Sequence, residues 1–164
     1  MNINLAELIG VISGRDWEWT AESVTRILGN QGWSRQAPVL HRIPFVDADG
    51  HCASLYLDGN NLPALEVVLE SSANPSLLSP IEYEELVDSY YGKFEQSVSE
   101  VSEILGTPAF NDGSASNEFP SDQDALWLAL WNLGKFRLMI QQKHEGREIP
   151  FRLCLVVAPH PEPK

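Results

Sequence analysis

Basic residues are scarce in this chain. Its 164 residues include 11 Lys and Arg against 23 Asp and Glu, a formal charge of −12 with the histidines neutral. A field of that sign repels nucleic acid and anionic membrane surfaces and draws in basic partners. Cysteine is scarcer still. Cys52 and Cys154 stand far apart in apolar, strand-like runs, and neither belongs to a CxxC pair or to a Cys/His cluster at zinc spacing. Both read as buried, reduced thiols of a cytoplasmic protein. Long apolar runs are missing too, since no stretch approaches the roughly 18 residues of a membrane-spanning helix. The opening "MNINLAELIGVISGRD" has no basic residue ahead of its apolar ones, and Leu5, Leu8, Ile9 and Ile12 fall at helical spacing. It reads as a helix and not as an export signal.

The signatures of an enzyme are absent as well. His41, His51, His144 and His160 match no HExxH element, although His41 and His51 are expected to approach each other across a hairpin. Two imidazoles alone make a weak metal site. The stretch "DADG" (47–50) suggests a calcium loop, but His51 stands at its third ligand position and Asp58 replaces the bidentate Glu at position twelve. A tight turn is the better reading. "GNQG" lacks both the dinucleotide-binding spacing and a P-loop lysine, and nothing resembles a nucleophile elbow. No catalytic residue, metal or cofactor is therefore expected.

What the chain does have is alternation and periodicity, over a length that can bury one core in one domain, 1–164. A helix over about 3–13 stops at Gly14. Thr20 caps a second helix through about Leu28, with Gly29 in the left-handed position beyond it. Strands are predicted at 39–46, where Pro44 implies an edge or a bulge, at 51–57, and at 64–70, joined by Asp-Gly turns as in an antiparallel meander. A linker leads to the clearest element. Ser79, Pro80 and Glu82 form a capping box, followed by the apolar stripe Tyr83, Val87, Tyr90, Phe94, Val98, Val101 and Leu105. Gly92 within this helix marks close packing or a bend, and Gly106 and Pro108 end it. A polar loop at 111–124, read as mobile, precedes three further strands at 125–132, 135–144 and 149–159, and the tail 159–164 is expected to fray.

The expected fold is therefore α+β: helix, three strands, helix, three strands, an antiparallel sheet or sheets packed by one long helix and one or two shorter ones. Two halves, 15–72 and 79–158, echo each other. "VTRILGNQGW" (24–33) and "VSEILGTPAF" (101–110) each end a helix on Ile-Leu-Gly ahead of strands. The echo reads as structural, two apolar last turns with a glycine stop. Trp17 and Trp19 alternate, and so do Trp127 and Trp131 with Ala125 and Ala129 between them. The second set reads as a sheet face covered by helices or, if uncovered, as an aromatic binding surface.

Acidic residues cluster. Glu82, Glu84, Glu85 and Asp88 open the long helix, Glu95, Glu100 and Glu103 continue it with Lys93 the lone base among them, and Asp47, Asp49 and Asp58 sit at the hairpin turns. Two readings stand: a solvated face, or an acidic docking surface for a basic protein, built from Asp47, Asp49, Asp58, Glu82, Glu84, Glu85 and Asp88.

The landmarks "DWEW" (16–19), Gly32-Trp33, "ALEVVL" (64–69), "LGTP" (105–108) and "ALW" (125–127) resemble a group of small bacterial proteins. That group is similar to immunity proteins of polymorphic and type VI secretion toxin systems. The resemblance implies a cytoplasmic protein that binds a cognate toxin stoichiometrically and covers its active site or substrate groove. A second reading is a chaperone of the type III secretion kind, which needs a contiguous exposed apolar patch for its effector. A third, an enzyme acting on a cationic small molecule, needs acids such as Glu66 or Asp58 to converge on an aromatic wall.

Overall fold

The computed structural model describes residues 3–14, 18–57, 63–146 and 148–161. Its elements follow from the caps and periods of the chain. Helix α1 (Leu5–Ile12) is capped by Asn4, whose side chain accepts from the Glu7 amide at 3.1 Å. Helix α2 (Ala21–Asn30) is capped by Thr20 in the same way, through Ser23. Strands β1 (Ser34–Arg35), β2 (Arg42–Val46), β3 (Cys52–Tyr56) and β4 (Ala64–Ser71) come next. A 3₁₀ turn (Pro75–Leu77) leads to α3 (Pro80–Leu105), where the reciprocal Ser79–Glu82 capping box is formed. Strands β5 (Phe110–Gly113), β6 (Trp127–Leu133), β7 (Phe136–Lys143) and β8 (Arg152–Pro159) complete the chain. No helix among the described residues is long and apolar enough to cross a membrane.

All eight strands join one antiparallel sheet in the order β1-β2-β3-β4-β8-β7-β6-β5. Each half runs helix, then four-strand meander, and the last strands of the two halves pair at the centre, Leu65 opposite Val157. The expectation of three strands per half is corrected to four. The additions, β1 and β5, directly follow the two Ile-Leu-Gly helix ends and form the outer edges. They are only two and four residues long, Phe110 being the one apolar residue among them, and so too short for an alternating pattern. Residues 111–113, assigned by composition to the polar loop, thus belong to a strand.

The two glycine stops are not equivalent. Gly106 takes φ +85° at the end of α3, but Gly29 still lies within α2, and the left-handed conformation falls to Gly32 at φ +89°. Pro44 lies one strand in from the edge, opposite Ser54, and its carbonyl accepts from the Gln36 amide where β1 has already ended. A missing N–H on that side removes no ladder bond.

Alternation along the strands sorts two faces. Ile43, Phe45, Leu55, Leu65, Val67 and Ile140 point to the face that all three helices cover, and Tyr90, Phe94, Val98 and Val101 of α3 pack onto it. Trp131 is buried there with its indole N–H donating to the Gly106 carbonyl at 2.8 Å, and Trp127 packs at a tilt against Tyr91. The β6 aromatics therefore belong to a helix-covered face. Trp19 is also buried, its N–H bound to the Pro63 carbonyl, whereas Trp17 lies outside the described residues.

Among the described residues the opposite face carries no helix. Its apolar half, with Leu128, Leu130, Met139 and Val156, is closed by Phe110 and by Phe119 from the β5–β6 connection. That connection is tied down by Asp122, which accepts two hydrogen bonds from the buried Arg137, and by Gln123, which accepts from Gln141.

Gly92 has open space where a Cβ would stand, so close packing does not explain it. Its replacement by alanine is expected to raise stability by up to about 1 kcal/mol through helix propensity alone. The check is a higher urea midpoint at unchanged slope.

Candidate functional site

The first turns of α3 bring four of the predicted acids onto one element. Helical spacing places Ile81, Glu84, Glu85 and Asp88 on the side away from the buried Tyr90 and Phe94. Glu84, Glu85 and Asp88 are exposed and have no ion-pair partner among the described residues. Glu82 differs because its carboxylate accepts from the Ser79 amide, and that bond holds its pKa below the usual value. Beside these acids, Leu77 is 92% exposed and Ile81 71%. The turn is fastened to the sheet by Tyr83, whose hydroxyl meets His144 Nε2 at 2.8 Å, and the His144 ring stacks flat on Phe151 at 3.9 Å. Further along the helix, Lys93 pairs with Glu70 of β4.

The predicted acids of the first hairpin form a separate group. Asp47 organises the β2–β3 turn: one carboxylate oxygen accepts from the Asp49 and His51 amides, and the other meets His51 Nδ1 at 2.7 Å. Burial works to raise its pKa, but the His51 hydrogen bonds outweigh that and lower it. Asp47, Asp49 and His51 offer ligand atoms within 4.8 Å of one another, yet the bonds of the turn itself already engage Asp47. Asp47 and Asp49 line a cavity of about 150 Å³ shared with Asn4 and Glu7 of α1 and with no α3 residue. Asp58 lies outside the described residues. His41 does not approach His51, a correction the register explains: the His41 carbonyl accepts from the Leu57 amide at one end of the hairpin, while His51 sits at the other.

A third cluster, on the helix-free face, escaped sequence reasoning. Glu66 looks like a solvent-facing alternant of β4 but is buried. Its Oε2 accepts from Lys143 Nζ at 2.8 Å and its Oε1 from Arg152 Nη1 at 3.0 Å, while Arg152 Nη2 donates to Glu145 at 2.7 Å. These groups line a depression of about 300 Å³ together with Tyr56, Gln123 and Ala158. Glu66 thus does meet an aromatic wall, as an enzyme acting on a cation would require, but two cations already neutralise it. Only the pairing of β4, β7 and β8 joins residues 77 and 86 positions apart, and no local pattern in the sequence signals it.

The thiols separate as well. Cys154 is buried on this face, and burial first, then the Glu66 charge, push its pKa up to about 12, which makes it inert at neutral pH. Cys52 is exposed at the start of β3, which corrects the expectation that both are buried.

Comparison with protein-family models, with curated proteins and with solved structures finds no match for this chain.

Proposed function

We propose that this protein is a stoichiometric inhibitor of a basic protein, an immunity protein acting in the cytoplasm against a cognate toxin of a polymorphic or type VI secretion system. The observation that carries the reading is the outer face of α3. Glu84, Glu85 and Asp88 stand exposed, with no ion-pair partner among the described residues, next to the exposed Leu77 and Ile81. Charges left without intramolecular partners steer a basic partner at long range, and protruding aliphatic side chains supply the apolar contact that holds it. The net charge of −12 acts in the same sense.

The chaperone reading has less support. It calls for a broad open apolar surface, and the apolar half of the helix-free face lies under Phe110 and Phe119.

The test takes the product of the neighbouring gene as the candidate toxin. Co-expression is expected to rescue growth, and the two proteins are expected to co-elute as a one-to-one complex. Lack of rescue, with both proteins present at comparable levels, would overturn the proposal.

A further inference from the structure

The depression on the helix-free face combines room with spare hydrogen-bond donors. Two small residues make the room. The register that sets Leu65 opposite Val157 brings Ala64 and Ala158 side by side on this face, and both line the depression. Tyr56 stands on one side and Gln123, held by Gln141, on another. A volume of about 300 Å³ falls at the lower end of small-molecule sites.

We propose that this depression binds a small organic carboxylate with an aromatic or aliphatic body. The sign follows from which hydrogen-bonding positions are already filled. Each Glu66 oxygen accepts from a cation, so an incoming ammonium group would meet an engaged acceptor flanked by two positive charges. Lys143 gives a single N–H to Glu66 among the described residues, and an ammonium carries three. Among the described residues the second arm of Arg152 is held by Glu145, whose side chain is half exposed and can yield to a competing carboxylate. The free hydrogen-bonding capacity is therefore donor: Glu66 and Glu145 balance the two cations in charge, but Lys143 keeps N–H groups to spare for charge-assisted bonds with an anion. The apolar body then covers Ala64 and Ala158 and lies against the Tyr56 ring.

The site is independent of the α3 face, so it can be tested on the full-length protein without any partner. Benzoate is the probe, with benzamide to remove the charge and acetate to remove the body, and binding is followed by NMR shifts of Tyr56, Gln123, Lys143 and Arg152. Fragments of this size bind in the millimolar range. Saturable benzoate shifts confined to these residues are expected, with affinity at least about tenfold above either control. Ala158→Leu fills the floor and is expected to abolish the shifts. Should that variant melt early, Tyr56→Ala at an exposed position is expected to weaken binding several-fold. No saturable shift with millimolar benzoate, equal binding of benzamide, or shifts that persist in a folded Ala158→Leu variant would each overturn the proposal.

Discussion

Replacing Asp122 by alanine is expected to destabilise the protein by about 2–3 kcal/mol. Arg137 is only 4% exposed, and its Nη1 and Nη2 donate to the two Asp122 oxygens while Nε and Nη2 reach the Pro159 carbonyl. Removing one partner of a buried pair costs about 3–5 kcal/mol because the other charge is left uncompensated. The lower figure applies here because Asp122 itself is 35% exposed and solvent screens part of the interaction. In a chain of this length a loss of about 2–3 kcal/mol lowers the melting temperature by roughly 4–12 °C.

The same pair carries a pH signature. Burial works to raise the Asp122 pKa, but the Arg137 hydrogen bonds, the Gln123 bond and the Arg137 charge outweigh it and hold it below the usual carboxylate value. A folded-state pKa depressed below the unfolded one gives stability that is present above the unfolded value, about 3.9. That stability is lost as pH falls through the folded value. Asp122→Asn is therefore expected to differ most from the parent at neutral pH and to converge with it on acidification. Urea titrations from pH 7 down to about pH 3 read this directly, and a difference independent of pH would show that the pair contributes no charge term.

Reversing Glu84, Glu85 and Asp88 to lysine is expected to slow association with the toxin by one to three orders of magnitude and to flatten its salt dependence. The change moves the local charge from −3 to +3, counting only these three exposed residues. None of them has an ion-pair partner among the described residues, so the fold should be little affected. Stopped-flow association at low and high ionic strength separates the outcomes. If the triple variant associates as fast as the parent, the interface lies elsewhere; if the parent itself does not bind, the immunity reading fails. Leu77→Ala is a useful companion, because losing an apolar anchor raises the dissociation rate more than it changes the association rate.

Much of the fold was legible in local signals. Ser79, Pro80 and Glu82 announced the start of α3 because a capping box is satisfied within one turn. The stripe from Tyr83 to Val101 announced its buried face, since helical spacing puts those positions on one side. The β4 segment was recognisable as a strand with Leu65 and Val67 on its core face, but the burial of Glu66 on the other face was not. Alternation marks Glu66 as exposed, yet the neighbouring β8 and the end of β7 bring Arg152 and Lys143 over it. Strands β1 and β5 were missed because two or four residues, nearly all polar, show no period. The His41–His51 approach was expected from the turn length alone, and the register overruled it.

By itself, then, the sequence determined the helices with the N-caps of α2 and α3, the antiparallel hairpins, the acidic surface and the lack of any known catalytic signature, because each is written in local composition, one helix turn or one strand pair. Only the tertiary structure decided that the two meanders join through β4 and β8 into one sheet. The same long-range pairing set Ala64 beside Ala158 and closed the ion pairs of Glu66. Contacts between residues far apart in the chain depend on which strands become neighbours and in what register, and that choice is made by burying the whole helix-covered face at once.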